Sequence, residues 1–254
     1  GLGDVYKRQR YNELTFQGRN AVLEAFRSGK TIDKLFILDG CQDGPIKSIV
    51  REAKKTDAII NYVDKERLDR LAGTGHHQGV VAIGAAYEYA EVEDILAAAK
   101  EKGEDPFIFI LDEIEDPHNL GAIIRTANLA GAHGVIIPKR RAVGLTATVA
   151  KTSAGAINYT PVAKVTNISQ TIEELKKQGL WFVCADMGGE TMYNLNLKGP
   201  IGLVIGNEGN GVSRLVKDKC DFIASIPMKG DIDSLNASVA AGVLAYEIVR
   251  QRLN

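Results

Sequence analysis

Short apolar segments alternate with amphipathic ones along most of the chain, and this alternation predicts its secondary structure. Most of the apolar segments lack the regular polar–apolar alternation of a strand that has one face in water. Uninterrupted apolar strands are typical of a parallel sheet that helices cover on both sides. The pattern therefore predicts an α/β protein.

The first part of the chain predicts one compact α/β unit. A helix is expected over residues 20–28, where Gly29 is a plausible end. A second helix is expected over residues 45–55, because its apolar residues fall on one face. The remaining predicted elements are strands 35–38, 58–63 and 80–85 and a short helix 65–71. The unit is expected to end near Ala86.

A charged, alanine-rich stretch separates this unit from a second one. Residues 87–105 are interpreted as a linker that merges into a helix over 92–102. The second unit is expected to contain strands 107–111, 135–137, 161–163 and 181–185 and helices 120–130, 145–151 and 168–178. The predicted domains are therefore 14–86, the linker 87–105, and 106–254. Residues 1–10 lack periodicity and are expected to be a non-native or disordered leader.

Two strands near the C-terminus each end in a loop of glycine and small polar residues. The strand 201–205 leads into the loop 206–211, and the strand 222–228 leads into the loop 229–238. A long helix with an apolar face then closes the chain. In open α/β sheets, ligands bind in loops beyond the carboxyl ends of strands. This stretch is therefore the predicted ligand site.

The loop 206–211 does not resemble a nucleotide-phosphate site. Its form is G-x-x-G-x-G, which differs from the G-x-G-x-x-G of dinucleotide folds, and the sequence contains no P-loop motif. Glu208 would also repel a phosphate. An acid without a lysine favours a ligand that is cationic or uncharged where it touches the protein. Spacing alone fits an ordinary tight strand-to-helix turn equally well.

Composition limits the class of protein. The 254 residues are 45% hydrophobic and 25% charged, with a formal net charge of −1. No apolar run is long enough to span a bilayer, and no signal peptide is evident. The chain has three cysteines, Cys41, Cys184 and Cys220, which cannot all pair and form no CxxC motif. This favours a reducing, cytoplasmic setting and argues against a zinc site, and the histidines have no metal-ligand spacing.

The net charge provides no global attraction to nucleic acid, so any RNA contact must come from local patches. The densest basic cluster is Lys139-Arg140-Arg141, and Arg19, Arg27 and Lys30 form a second candidate. Basic clusters of this kind are more often solvated surface than binding sites.

Three ordered motifs give the chain a family resemblance. Residues 119–125 have the form N-x-G-x-x-x-R, residues 202–209 read GLVIGNEG, and residues 226–228 are followed by SLNASVA at 234–240. Together they resemble the SpoU (TrmH) branch of the SPOUT RNA methyltransferases, over roughly residues 107–252. Residues 18–20 and 77–80 resemble the small ribosomal-protein-like substrate-binding domain that often precedes it. This two-domain layout is most similar to the 23S rRNA guanosine-2′-O-methyltransferases.

The resemblance implies a fold and a reaction. The C-terminal parallel sheet would thread a trefoil knot, and the knot would bind S-adenosylmethionine. The enzyme would be a homodimer through its C-terminal domain. Its partner would be RNA, with 23S rRNA as the leading candidate, and neither DNA nor a membrane. The methyl group would pass to a ribose 2′-hydroxyl, a reaction that requires no metal.

The resemblance also implies site residues. The catalytic set would be Asn119, Arg125, Glu208, Ser234 and Asn236. The cofactor contacts would be Gly206, Ile226 and Leu235, with Met228 and the loop 153–155 as weaker candidates. A guanidinium is rarely deprotonated, so Arg125 is expected to clamp a phosphate and stabilise the developing alkoxide. The alternative interpretations are a surface ion pair for Arg125 and helix caps for Asn119 and Ser234.

Other functions are consistent with parts of the sequence. A tRNA ribose methyltransferase of the same family is a near alternative, and a catalytically silent RNA-binding protein is a more distant one. A nicotinamide-dependent enzyme lacks its fingerprint. His118 beside the acidic loop 112–116 suggests a hydrolase, but no G-x-S-x-G nucleophile motif accompanies it.

Overall fold

The computed structural model describes residues 15–73 and 75–254, and the chain divides into two compact units. The first ends at Glu88 and also takes in Gly144–Ala147, while the second comprises Tyr89–Val143 and Thr148–Asn254. The predicted leader, residues 1–10, lies outside the described residues. Within the described part of the chain, no helix has the length and apolar character needed to cross a membrane.

In its described residues, the first unit is a four-stranded mixed sheet with three helices. Its elements are β1 (Thr15–Gln17), α1 (Arg19–Arg27), β2 (Ile32–Leu38), α2 (Gly44–Ala53), β3 (Ile59–Val63), α3 (Lys65–Ala72) and β4 (Val80–Gly84). The strand order is β1-β4-β2-β3. Strands β2 and β3 are parallel, and β4 runs antiparallel to both of its neighbours. The predicted α/β unit is therefore present, with β1 as an unpredicted edge strand.

Local sequence signals set the helix ends of this unit. The Asp43 side chain accepts the Ile46 N–H and caps α2, while the Asp64 side chain accepts the Arg67 N–H and caps α3. Helix α3 ends at Gly73, whose φ of 67° is the left-handed conformation that glycine adopts most readily. The apolar faces of α1 and α2 cover one side of the sheet, and Leu68 of α3 packs on the other.

The second unit is a six-stranded parallel sheet. Its strands are β5 (Phe107–Asp112), β6 (Gly134–Pro138), β7 (Val162–Val165), β8 (Trp181–Thr191), β9 (Ile201–Gly206) and β10 (Phe222–Ser225). Its helices are α4 (Val92–Glu101), α5 (Pro117–Leu129), α6 (Ala147–Thr152), α7 (Ile168–Lys177), α8 (Arg214–Lys219) and α9 (Ala237–Leu253). The strand order is β10-β8-β9-β5-β6-β7, and every pair is parallel. The predicted parallel sheet is confirmed.

The apolar strands lie at the centre of this unit. Every residue of β5 is buried, and most of β6 and β9 is buried as well. The helix predicted within the linker, α4, belongs to this core, because its Ile95 is buried among residues of β5, β6 and α7. Gly134 leaves the space that Ile95 occupies, since a Cβ atom there would lie 2.6 Å from the Ile95 side chain.

Strand β10 is shorter than the predicted strand 222–228, and β8 is longer than the predicted strand 181–185. The pairing of β8 with β10 shifts register between Ile223 and Ala224. At Gly189 a Cβ atom would lie 2.2 Å from the Ile223 carbonyl oxygen, so β8 and β10 approach as closely as only a glycine permits. After Ser225 the chain leaves the sheet, which frees residues 226–236 to form a loop.

Candidate active site

A cavity of about 360 Å³ lies at the carboxyl ends of β9 and β10, beside the middle of β8. Strands β9 and β10 supply the two loops that the sequence predicted as the ligand site. The lining residues are Ala185, Asp186, Met187, Ile205–Gly211, Ala224–Ile226, Met228, Asp233–Leu235, Ala237 and Ala240. The site therefore occupies the edge of a parallel sheet where ligands usually bind.

The loop after β9 is held in shape by Asn207. Its backbone exchanges two hydrogen bonds with Gly211, of 3.1 and 2.7 Å. Its Nδ2 donates to the Glu113 carbonyl oxygen at 2.9 Å, and its Oδ1 accepts the Gly209 N–H at 2.8 Å. Asn207 was not among the predicted site residues, yet it fixes the residue that precedes Glu208.

Three of the predicted catalytic residues meet in one hydrogen-bonded cluster. The Nδ2 atoms of Asn119 and Asn236 both donate to Oε1 of Glu208, at 2.5 and 2.6 Å. Asn236 Nδ2 also lies 3.2 Å from Asn119 Oδ1. Asn119 is buried, whereas Glu208 is exposed and lines the cavity. The cluster joins the first turn of α5, the loop after β9 and the start of α9.

The helix caps show whether Asn119 and Ser234 have the capping roles that were the alternative interpretation of these residues. Asp116, not Asn119, caps α5, because its side chain accepts the His118 N–H. Asn236, not Ser234, caps α9, because its Oδ1 accepts the backbone N–H groups of Ser238 and Val239. Ser234 is exposed on the rim of the cavity and makes no hydrogen bond within the described residues.

Arg125 lies apart from this cluster within one chain. It is six residues beyond Asn119 on α5, and its side chain is exposed. Among residues 15–73 and 75–254 it forms neither a hydrogen bond nor an ion pair, so the surface ion pair considered above is absent. A guanidinium without a partner is available to an external anion.

The predicted cofactor contacts converge on the cavity. Gly206, Ile226, Met228 and Leu235 all line it. A Cβ atom at Gly206 would lie 2.2 Å from the carbonyl carbon of Gly211 and the nitrogen of Val212, so the loop can close over β9 only because residue 206 is glycine. The loop 153–155 does not line this cavity, and the Ser153 hydroxyl donates to the Ala150 carbonyl.

The cavity is acidic. Asp186, Glu208 and Asp233 line it, and none of the lining residues is a lysine or arginine. Lys217 pairs with Asp186, and the hydrogen bond between them lowers the pKa of Asp186 and raises that of Lys217. Apolar side chains with carboxylates suit a ligand that has an apolar body and a cationic group. In the described part of the chain, no group of three or more His, Cys, Asp or Glu side chains could hold a metal ion.

Two family models match the chain. The model of the SpoU rRNA Methylase family covers residues 106–246, and the model for RNA 2′-O ribose methyltransferase substrate binding covers residues 17–90. A curated relative, YacO of Bacillus subtilis, is named for the TrmH family of tRNA/rRNA methyltransferases. It is 53% identical over 236 residues, which are 92% of this chain and 94% of YacO.

Solved structures of similar fold carry related names. The SpoU methyltransferase AviRb of Streptomyces viridochromogenes, crystallised with AdoMet, superposes with a TM-score of 0.59 at 26% identity, over 94% of this chain and 90% of AviRb. An rRNA methyltransferase of Sinorhizobium meliloti gives a TM-score of 0.60 at 25% identity, over 97% of this chain and 91% of that protein.

Proposed function

The chain belongs to the SpoU rRNA methylase family of RNA methyltransferases, and we propose that it methylates the ribose 2′-hydroxyl of a guanosine in 23S rRNA. The observation that carries this proposal is the acidic cavity with Glu208 on its rim, anchored by Asn119 and Asn236. The match of the front unit to a 2′-O ribose methyltransferase substrate-binding model supports the position of the methyl group.

The cofactor is S-adenosylmethionine, with which AviRb was crystallised. When bound, it supplies an electrophilic methyl group on a cationic sulfur. The acidic lining of the cavity suits that charge, and Ile226 and Leu235 offer apolar surface to its adenosine. We propose that Gly206, Ile226, Met228 and Leu235 hold this cofactor within a trefoil-knotted loop region.

Glu208 is suited to receive or orient the proton of the ribose hydroxyl. Both amide donors contact its Oε1 atom, and its Oε2 atom makes no hydrogen bond within the described residues. The two asparagines therefore fix the direction of the carboxylate and leave one oxygen free. Proton transfer by a positioned side chain contributes about 10²–10⁴-fold to the rate of such reactions.

Arg125 is proposed to hold the phosphate beside the target ribose. Its guanidinium is exposed and has no partner in the described part of the chain. A fixed guanidinium can bind phosphate through two hydrogen bonds and stabilise charge that develops in the transition state. Ser234, on the cavity rim, is proposed to hydrogen-bond the ribose or the cofactor carboxylate.

The two units are proposed to divide the work. Residues 14–86 would bind the RNA, and residues 106–254 would form a cytoplasmic, homodimeric methyltransferase domain. The segment 87–105 would connect the two, with its helix α4 packed into the core of the methyltransferase domain. Helices α5 and α9 are neighbours, and they carry exposed apolar side chains that support a subunit interface there. These side chains are Leu129 on α5 and Val239 and Tyr246 on α9. Arg125 lies on α5 as well, so the interface would bring it close to a partner copy.

The main alternative substrate is tRNA, because the relatives are named for tRNA and rRNA together. Mapping of 2′-O-methyl groups in 23S rRNA and in tRNA, from cells with and without the protein, decides between them. Loss of one methylguanosine from 23S rRNA is expected in cells that lack the protein. Loss from tRNA would identify the alternative, and unchanged methylation of both RNAs would contradict a role as the methyltransferase.

A further inference from the structure

We propose that the loop after β6 carries an RNA phosphate-binding site on the methyltransferase unit, formed by Arg140 and Arg141. This proposal rests on the proposed function, because it assigns a second contact to the same RNA substrate. The two arginines belong to the basic cluster that the sequence singled out, and no role has yet been assigned to them.

The sheet topology places this loop on the edge that carries the active site. Strand β6 is parallel to β5, and β5 is parallel to β9, so the segments that follow all three strands leave the same edge. The Val143 N–H donates to the Ile114 carbonyl oxygen at 3.0 Å and ties the loop after β6 to the loop after β5. Glu113, in that second loop, accepts the Asn207 side chain that shapes the cavity.

The backbone conformations of Arg141 and Glu113 are unusual in both loops. Arg141 has a φ of 53° and Glu113 a φ of 59°, and both are left-handed non-glycine residues. They face each other, with Nη1 of Arg141 3.4 Å from Oε1 of Glu113. Non-glycine residues in this conformation are uncommon and cluster at ligand clamps and active sites. The arrangement therefore points to a functional loop.

The arginines remain available to a ligand. Arg140 is exposed and forms no hydrogen bond or ion pair within residues 15–73 and 75–254. The Arg141 side chain is 76% exposed despite its contact with Glu113, so most of its donors face water. Arginine presents five donors in a planar fork, which matches the oxygen atoms of a phosphate.

Three of the four acids in the facing segment 112–116 have partners, and one of these partners is Arg141 itself. Asp112 accepts the Ser213 N–H, Glu113 pairs with Arg141, and the Asp116 side chain caps α5. Of the four acids in this loop, only Glu115 makes no hydrogen bond or ion pair within the described residues. The carboxyl edge of the sheet thus carries two sites of opposite charge. The acidic cavity suits a cationic group, and the arginine pair suits the phosphates of an RNA backbone.

The test compares charge removal at this loop with equal charge removal elsewhere on the same unit. The test variants are Arg140→Ala and the pair Arg140→Ala/Arg141→Ala. The control pair is Lys177→Ala/Lys198→Ala, because both lysines are exposed and lie at the opposite, amino-terminal edge of the sheet. A third variant, Arg140→Lys/Arg141→Lys, keeps the positive charge. All proteins are full length, and the probes are deproteinised 23S rRNA and bulk tRNA.

The double alanine variant is expected to bind its RNA about tenfold more weakly, since hydrogen bonds to charged groups are among the stronger ones. The slope of log affinity against log salt should fall by about one for each lost phosphate contact. Arg140→Ala should show about half of that change in slope. The lysine variant should keep most of the slope, and the affinity for S-adenosylmethionine should not change.

Equal RNA affinity and salt dependence in the double alanine variant and the control pair would overturn the proposal. A change in the oligomeric state of the double alanine variant, without a change in its RNA affinity, would assign the loop to a contact between subunits. That result would also overturn the proposal. The proposed function is judged separately, by methyl transfer in the wild-type protein. If wild type methylates neither RNA, the proposed function fails, while the binding comparison still decides the role of the two arginines.

Discussion

The side-chain amide of Asn236 makes two kinds of hydrogen bond at the same time. Its oxygen caps α9 by accepting backbone N–H groups, and its nitrogen donates to Glu208. Because one side chain serves both partners, the position of Glu208 is set directly by the start of the last helix. Asn236 therefore does more than stabilise the helix, because it also orients the carboxylate that we propose acts in methyl transfer.

Asn236→Ala is expected to lower both stability and activity. Loss of the cap should cost about 1 kcal/mol of unfolding free energy, measured by urea denaturation. Methyl transfer should fall much further, because Glu208 loses one of its two amide donors. Asn167→Ala is the matched control, since Asn167 caps α7 in the same way but makes no hydrogen bond to Glu208. The role of Asn236 in orienting Glu208 is wrong if both variants lose the same activity.

Arg125→Ala is expected to reduce methyl transfer by about 10²–10³-fold, the effect of removing one group that stabilises transition-state charge. Calorimetric affinity for S-adenosylmethionine should be preserved, because Arg125 does not line the cavity. Arg125→Lys should also be poor, since an ammonium loses the two-pronged contact with phosphate. Near-normal turnover by a folded Arg125→Ala protein would remove this residue from the mechanism.

Sequence motifs predicted much of the candidate site, and the remaining site residues depend on contacts between distant parts of the chain. Gly206, Glu208 and Asn119 followed from motif positions, and the structure brings Glu208 and Asn119 together. Asn207 was missed because its partner, Glu113, lies 94 residues earlier in the chain. The sequence offered Ser234 as a possible cap of α9, whereas Asn236 caps it. Both are good capping residues, and only the path of the loop decides which one reaches the helix.

At the scale of elements, the apolar runs predicted the strands but not their order or their ends. Strand β9 leaves the sheet at a glycine loop, as expected. The early end of β10 depends on its close approach to Gly189 and on the register shift with β8, which are contacts between separate segments. Helix α8 is too short for a recognisable period, and it was not predicted.

Gly206→Ala tests the contact that closes the loop over β9. The new Cβ atom would lie 2.2 Å from the backbone of Gly211 and Val212, so the loop must move. Forced backbone shifts of this kind cost about 1–3 kcal/mol, and the displaced loop lines the cavity. We therefore expect lower stability in urea and weaker binding of S-adenosylmethionine by calorimetry.

Gly209→Ala is the control within the same loop. Its Cβ atom would meet only the Asn207 side-chain oxygen, at 3.4 Å, and its φ is not positive. This variant should bind the cofactor almost as well as wild type. Cofactor binding by Gly206→Ala as strong as that of Gly209→Ala would show that the tight crossing of the loop does not shape the pocket.

At the scale of the whole molecule, α4 belongs with the methyltransferase sheet although it lies in the segment predicted as a linker. Ile95 is fully buried in the core of the second unit. Just before the helix, the Ala90 N–H donates to the Val162 carbonyl at 2.9 Å, and Lys164 lies over the Tyr89 ring. A fragment that begins after α4 would therefore open a cavity in the core.

Two fragments separate the contribution of this helix from that of the front unit. Residues 89–254 should fold and bind S-adenosylmethionine, because they keep α4 and every residue that lines the cavity. Residues 104–254 should be less stable by at least the roughly 2–5 kcal/mol that removal of a buried isoleucine side chain costs. Urea denaturation and calorimetry measure both effects. Equal stability of the two fragments would contradict the structural role assigned to α4.

The longer fragment also tests the division of labour between the units. It lacks Arg19, Arg27 and Lys30, the candidate basic patch of the front unit. Phosphate contacts supply much of the affinity of a protein for RNA. We expect it to form the proposed dimer in solution but to lose most of its affinity for structured rRNA, with a weaker dependence on salt. Methyl transfer at saturating cofactor should fall with that affinity. If residues 89–254 methylate the same nucleotide as efficiently as the whole chain, the front unit does not bind the substrate.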